Sequence, residues 1–227
     1  MVSGKKPKDN ALIMTLFLHQ ISLGWPNKPL IDGFSLTIPK GKITVLQGPS
    51  GCGKSTLLSA IAGTNEASLS IKGDILLDDR LLNHLPPQER RIAILFQESL
   101  LFPHLTVAQN LGFGLPSGYS KAQRNKAILQ ALDDAGLADY GDYDPAHLSG
   151  GQKARIAMMR AMLSEPQALL MDESFASLDP DLRAQFGQFV ATQIAARQIP
   201  ALLISHHDDD KAFATGEVMN WPHQREN

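Results

Sequence analysis

Nine residues, Gly48-Pro-Ser-Gly-Cys-Gly-Lys-Ser-Thr56, constrain this chain more than any other stretch. They match G-x-x-x-x-G-K-[ST], a loop whose glycines let backbone N–H groups converge on phosphate oxygens while the next helix adds the positive end of its dipole. In such a loop the lysine, here Lys54, reaches the β- and γ-phosphates, and the hydroxyl after it, here Ser55, ligates Mg²⁺. A chance match in a chain of this length and composition has a probability of about 1%. The flanks agree with the motif: the apolar run Ile43–Leu46 precedes the loop, and a helical pattern over Ser55–Ala62 follows it. A strand–loop–helix unit is expected, with Gly48, Pro49, Ser50, Gly51, Cys52, Gly53, Lys54, Ser55 and Thr56 cradling the phosphates. Cys52 is the single cysteine, which excludes a disulfide framework. Inside the loop it reads as a small filler.

Two further apolar runs, Ala168–Met171 and Ala201–Ile204, are continuous rather than alternating. Such runs suit strands buried on both faces of a parallel sheet. The helical pattern over Ala154–Leu163 puts Ile156, Met159 and Leu163 on one face, and the order strand–helix–strand predicts an α/β sheet. The N-terminal third differs. Leu16–Leu18, Phe34–Ile38 and Ile75–Leu77, separated by glycine and proline, read as antiparallel strands. Residues 98–148 carry helical signals without a strand, as an inserted helical subdomain would. At 227 residues the chain exceeds one typical domain of ~150 residues, and its 43% apolar content supports a substantial core. A formal charge of −2 gives no electrostatic basis for binding nucleic acid or an anionic membrane.

Residues 10–27 and 99–120 lack Asp, Glu, Lys and Arg, yet neither reads as a membrane span. His19, Gln20, Gly24, Pro26 and Asn27 interrupt the first; Pro103, His104, Gln109, Asn110 and Pro116 interrupt the second. The basic N-terminus precedes the apolar Ala11–Leu18, but no small-residue cleavage site follows. A cytosolic chain without an export signal is expected.

Ala168-Leu-Leu-Met-Asp172-Glu173 is an apolar strand ending in two acids. The carboxyl ends of strands are where open α/β sheets bind ligands. Asp172 there can hold Mg²⁺ through water, and Glu173 can orient and deprotonate an attacking water. Acids commonly end strands, so the pair acquires meaning from the phosphate loop upstream. Leu148-Ser-Gly-Gly-Gln152 adds a second helix start with exposed glycine amides, in which Ser149 can act as the N-cap.

In this order and spacing the chain resembles the ATP-binding cassette family, the nucleotide-binding subunits of ABC transporters. The resemblance covers roughly residues 12–217. It implies a P-loop NTPase of ABC ATPase type: a mixed core sheet, an antiparallel β subdomain and an inserted helical subdomain. The expected division is a core of about residues 11–97 and 161–227 and a helical subdomain of about 98–160, with no C-terminal regulatory domain. Further residues are carried over by the resemblance. Gln97 resembles the glutamine that touches Mg²⁺ and the attacking water, so Ser55, Gln97 and Asp172 form the implied Mg²⁺ set. Ser177, Leu178 and Asp179 resemble the D-loop that crosses a dimer interface, although an N-cap before Pro180 explains Asp179 equally well. His206 resembles the switch histidine that contacts the γ-phosphate, and Trp25 stands where an aromatic stacks on adenine. Leu148, Ser149, Gly150, Gly151 and Gln152 would serve the ATP of a partner subunit in a head-to-tail homodimer.

Two positions depart from the family pattern. Ser174 replaces the usual proline, which would loosen the chain ahead of Ser177, and His207 replaces the usual aspartate, so two adjacent histidines compete for the switch role. The run Asp208–Asp210 reads as a solvated helix start, favourable at the positive end of a dipole.

The implied activity is ATP hydrolysis coupled to transport by separate membrane permease subunits, with ATP and Mg²⁺ as cofactors and a peripheral position at the cytoplasmic face of the inner membrane. The wording of Leu95–Leu115 is similar to bacterial importer subunits for thiamine, polyamines, iron(III) and oxyanions, thiamine being nearest. A solute-binding protein would be an indirect partner. An ABC exporter subunit shares every motif and stays open, as does a non-transport ABC ATPase. Leu100, Leu101, Phe102, Leu105 and Val107 are the expected permease-docking set, with subdomain core as the other reading for some of them.

Overall fold

The computed structural model describes residues 15–222; residues 11–14 and 223–227 of the expected core lie outside that range. It begins with two long antiparallel strands, β1 (Thr15–Trp25) and β2 (Lys28–Pro39). Their register shifts at three places, between Leu18 and Ile21, Ile21 and Leu23, and Leu23 and Gly24, and the first shift changes which residues face inward. Leu16 and Leu18 pair with Ile38 and Leu36, whereas Ile21 pairs with Phe34, so β1 spends an extra residue between these pairs. Gln20, at φ +50°, takes up the bulge. The bulge moves the inward set from even positions to the odd Ile21 and Leu23, all buried.

The chain then enters the central sheet through β3 (Ile43–Gln47) and turns through the phosphate loop into α1 (Lys54–Ala62). It returns to the antiparallel sheet with β4 (Ser70–Leu77) and β5 (Arg80–Leu81), giving the order β2-β1-β4-β5. A single-turn helix, α2 (Pro87–Arg90), leads to β6 (Ile92–Leu95). Three helices follow without an intervening strand: α3 (Val107–Phe113), α4 (Lys121–Asp134) and α5 (Gly150–Leu163). Each opens on the same device, with Ser or Thr at the N-cap and Gln three residues on, closing reciprocal capping bonds at Thr106/Gln109, Ser120/Gln123 and Ser149/Gln152. The remaining elements are β7 (Ala168–Asp172), α6 (Pro180–Arg197), β8 (Ala201–Ser205) and β9 (Val218–Asn220).

The mixed character of the fold is divided between sheets. The N-terminal sheet is antiparallel, and the central sheet, ordered β6-β7-β8-β3-β9, pairs in parallel throughout. Every residue of β3 and β8 is buried, as continuous apolar runs require when both sheet faces are covered. The two faces feed different cores: Leu46, Leu170, Leu202 and Ile204 pack with the antiparallel sheet and α1, whereas Val45, Leu169, Met171 and Leu203 pack with α6. Helix α5 has two apolar sides. Ile156 and Met159 join Val107, Leu111, Leu132 and Leu148 in a core of the helical region, while Ala154, Met158 and Met162 meet the central sheet's packing. Among the described residues no helix is long and apolar enough to cross a membrane.

Candidate active site

The central-sheet strands that lead into expected site residues all end at one edge of that sheet. Gln47 stands level with Ser205, Asp172 with Ile204 and Leu95 with Met171. The loops leaving β3, β6, β7 and β8 therefore open together, at the carboxyl edge where such sheets bind ligands.

The phosphate loop is shaped by its glycines and by what lies beneath them. Gly53 caps α1 at φ +111°, a conformation that L side chains rarely adopt. Lys54 is only 4% exposed, and its Nζ donates to the carbonyls of Gly48 at 2.7 Å and Pro49 at 2.8 Å. The loop thus curls around its own ammonium, with Pro49, Ser50 and Gly51 exposed at the top, Thr56 half-buried behind them and Cys52 half-buried against the curl. Trp221, which sequence reasoning did not single out, lies on the chain leaving β9. Its backbone N–H donates to Gln47 O at 2.5 Å, and a Cβ on Gly48 would fall 2.7 Å from the Trp221 Cβ. Only the pairing of β9 with β3 brings this tryptophan to the loop, so no local signal announced it.

Next to the loop, Ser55 Oγ donates to Asp172 Oδ1 at 3.1 Å. Burial raises the Asp172 pKa above its ordinary value, the Ser55 hydrogen bond opposes this, Glu173's charge adds to it and the Lys54 ammonium lowers it. A half-buried carboxylate in that position gains from a cation. The paired hydroxyl and carboxylate oxygens are the hard donors that Mg²⁺ takes, one or two at a time, alongside substrate phosphates and water. Among the described residues there is no cluster of three or more His, Cys, Asp or Glu side chains able to hold a metal by themselves.

Glu173 and His206 meet directly, with Nδ1 2.8 Å from Oε1. Glu173 sits at φ +49°, a left-handed position that costs a non-glycine residue on the order of 1 kcal/mol, and its backbone N–H donates to Ile204 O at 3.1 Å. Strand β8 thereby holds the acid beside the histidine that leaves it. Of the two histidines, His206 faces Glu173. The His207 ring lies against that of His206, tilted by 37° with 4.0 Å between ring centroids, and its backbone is held by Ser205 Oγ and Gln47 Nε2.

Two readings are corrected. Ser174 does not loosen its loop: it is buried, and its hydroxyl donates to Leu95 O at 2.9 Å, tying the end of β7 to the end of β6. Asp210 is not solvated, being 0% exposed, although Asp208 and Asp209 are exposed as expected. The chain folds back in a 3-10 turn over Asp208–Phe213 and carries Asp210 inward.

Gln97 lies exposed on the loop after β6, where Ser177 Oγ donates to its carbonyl at 3.4 Å. Asp179 does serve as an N-cap, accepting from Leu182 N at 3.0 Å; Leu178 is buried, and Ser177 and Asp179 are exposed on either side of it. In the Leu148–Gln152 segment, Leu148 belongs to the helical core, Gln152 closes the capping box, and Ser149 and Gly150 are exposed. Gly150 and Gly151 lie against Leu178 and Leu182, whereas the phosphate-loop glycines Gly48 and Gly53 lie against Trp221 and Leu30. Trp25 is half-buried at the tip of the β1–β2 hairpin, its indole N–H donating to Ser68 Oγ at 3.3 Å. The same hairpin reaches the phosphate loop through Leu30, whose Cδ1 lies 3.2 Å from a Cβ on Gly53.

A phosphate loop, a polarised hydroxyl–carboxylate pair and a carboxylate–histidine pair on adjoining parallel strands define a P-loop nucleoside-triphosphate hydrolase. The sequence profile described as ABC transporter matches residues 31–176. The chain is 42% identical over 195 residues to YnjD of Escherichia coli (strain K12), described as an uncharacterized ABC transporter ATP-binding protein, covering 86% of this chain and 90% of that one. It is 42% identical to the diacetylchitobiose uptake system ATP-binding protein MsiK of Streptomyces coelicolor, covering 84% of this chain and 50% of MsiK. The spermidine/putrescine import ATP-binding protein PotA of Pasteurella multocida is 36% identical over 89% of this chain and 54% of its own length. Among solved structures, cbiO1 of Clostridium perfringens, part of the ABC transporter complex cbiONQ, superposes with a TM-score of 0.80 at 26% identity, covering 91% of this chain and 85% of that one. The chain therefore belongs to the ABC transporter family, as an ATP-binding subunit that hydrolyses ATP. Apart from YnjD, it spans about half the length of these curated relatives.

Proposed function

We propose that this subunit powers a bacterial importer of a small solute, working as a head-to-tail, ATP-dependent homodimer beneath separate membrane permease subunits. The observation that carries the hydrolytic part is the 2.8 Å pair between Glu173 and His206 at the level of the phosphate loop. In this reading Glu173 takes the proton of the attacking water, and His206, held by Glu173 through Nδ1, offers its other ring nitrogen toward the γ-phosphate. Lys54 and the loop amides neutralise phosphate charge, Gln97 helps to place the water, and Trp25 stacks on adenine. Ser55 and Asp172, with Gln97, would hold Mg²⁺, which supplies further charge neutralisation on the phosphates. The exposed Ser149 and Gly150 would meet the partner's ATP, and Ser177 would cross the interface between copies.

Helices α3 to α5 would move as a helical subdomain, about residues 98–160, against a core of about 11–97 and 161–227. The permease would dock beside them, at the cytoplasmic face of the inner membrane. A cleft of about 380 Å³ lies there, lined among others by Phe96, Leu100, Phe102, Phe113 and Arg160. Phe96, Leu100 and Phe113 are exposed, which supports docking, whereas Val107 is fully buried and Leu101 packs in the helical core. The importer reading is supported by relatives named for uptake of diacetylchitobiose, sn-glycerol-3-phosphate, spermidine/putrescine and Fe(3+). The wording of residues 95–115 adds a thiamine-like compound as the first solute to test beside these.

The test is Glu173→Gln. ATP binding should persist, turnover should fall at least ~100-fold, and the chain should elute as a dimer with ATP and Mg²⁺. Turnover near the parent rate would overturn the role given to Glu173. A monomer at saturating ATP would overturn the dimer.

A further inference from the structure

Besides the Glu173–His206 pair, a second connection joins the same two loops through the buried Asp210 and the partly buried Arg183. Asp210 is completely buried. Its Oδ2 accepts from Ser205 Oγ at 2.5 Å, and Ser205 Oγ in turn accepts from the His207 backbone N–H at 2.9 Å. Gln47, at the end of β3, donates to the His207 carbonyl at 2.7 Å. The other carboxylate oxygen, Oδ1, accepts no hydrogen bond and faces Arg183 Nη1 of α6 at 3.9 Å. Arg183 uses its remaining donors on the loop after β7: Nε to Phe175 O at 3.2 Å and Nη2 to Ala176 O at 3.4 Å. A continuous polar path thus runs from the residues flanking His206 to the residues following Glu173.

The quality of this ion pair bears on its purpose. Removing a charge from water is expensive, and a buried pair returns that expense only when its geometry is close and every oxygen is satisfied. Here the contact is long and Oδ1 is left without a hydrogen bond, in a position that apolar side chains would fill at least as stably. What apolar side chains would not do is grip Ser205 at one end and two backbone carbonyls at the other. We infer that Asp210 and Arg183 are positioning residues for ATP hydrolysis, a strut that keeps the loop carrying His206 in register with the loop carrying Glu173. The inference rests on the hydrolytic roles proposed for those two residues.

The strut predicts a split between chemistry and binding, since neither residue touches the phosphate loop. Three variants of the full-length chain test it: Asp210→Asn, which keeps an acceptor for Ser205 and removes the charge; Arg183→Met, which keeps the apolar stem; and the two combined. Each single variant should lower kcat about tenfold with the KM for ATP changed less than about twofold, because small displacements of reacting groups affect the chemical step first. The double variant should lose no more than the worse single one, as expected for two parts of one device. Unchanged kcat with only a lowered Tm would overturn the inference, as would losses that multiply in the double variant or a KM that rises as far as kcat falls. Glu173→Gln, assayed in parallel, separates the two levels. If it retains turnover, the assignment of the hydrolytic residues is at fault. If it abolishes turnover while Asp210→Asn is fully active, only the strut is wrong.

Discussion

Gly53 shows how one residue governs the phosphate loop. At φ +111°, with Leu30 and Trp221 within 3.2 and 3.3 Å of any added Cβ, the position is closed to side chains both by conformation and by space. Gly53→Ala should cost about 1–3 kcal/mol, lowering Tm by several degrees and weakening ATP binding in the same variant. Thermal denaturation with and without ATP would check both effects, and an unchanged Tm would show that the loop relaxes freely. At this scale much of the site was legible. Lys54, Ser55, Asp172, Glu173 and His206 are motif residues whose chemistry follows from type and order, and the fold brings Ser55 to Asp172 and His206 to Glu173. Asp210 was misread because three consecutive aspartates look alike in sequence. Which of them turns inward depends on a 3-10 turn and on Arg183, which lies on another element.

Among the elements, α1 depends on a residue far outside it. The helix ends at Gly63, at φ +78°, and its last carbonyls would be buried without partners. Arg90, 5% exposed, supplies them: Nη1 donates to Ala60 O and Ile61 O at 2.8 Å each, Nε to Leu85 O at 2.9 Å and Nη2 to Asn83 O at 3.2 Å. A cation at a helix C-terminus is favourable toward the dipole as well as toward the carbonyls. Burial lowers the Arg90 pKa from its ordinary value, yet an arginine remains charged. Arg90→Met should destabilise the chain by about 2–4 kcal/mol through unpaired buried carbonyls, measured by denaturant unfolding. Arg90→Lys should rescue little, because an ammonium cannot spread over four carbonyls from a fork. The strands β3, β7 and β8 and the helix capped by Ser149 were readable from their patterns; the short β5 and β9 and the bulge at Gln20 were not, the bulge because it answers to the pairing of β1 with neighbours on both sides.

At the scale of the whole molecule, an apolar groove lies beside the candidate active site. Asn110, fully buried, holds the segment before α3 with bonds to Phe102 N, Phe102 O, Leu105 O and Thr106 O. Arg160 of α5 lies over the Phe102 ring at 5.1 Å and donates to Leu100 O at 3.0 Å. The exposed Leu100 and Phe113 are therefore presented from a fixed frame, which lowers the entropy lost on docking. If the proposed permease docks here, replacing both with serine should weaken that association at least ~30-fold, at roughly 1.5–3 kcal/mol for each apolar side chain no longer buried, and leave ATP affinity unchanged. Co-purification with the partner and nucleotide titration would measure the two effects. Equal co-purification of the variant and the parent would place the docking surface elsewhere.

By itself, the sequence determined the class of fold and the candidate residues for its chemistry: the phosphate loop, the acids at the end of β7, the histidines after β8, and the continuous apolar strands that demand a sheet covered on both faces. Each of these depends on residue type at short range, so it is written locally. The tertiary structure alone decided which of the apolar residues after Gln97 face solvent and which face the core. It also decided that Trp221 packs against the phosphate loop, and that Asp210 and Arg183 meet between the loops that follow β7 and β8. These arrangements join segments distant in the chain, and burial there is set by strand order and helix packing, which no local pattern specifies.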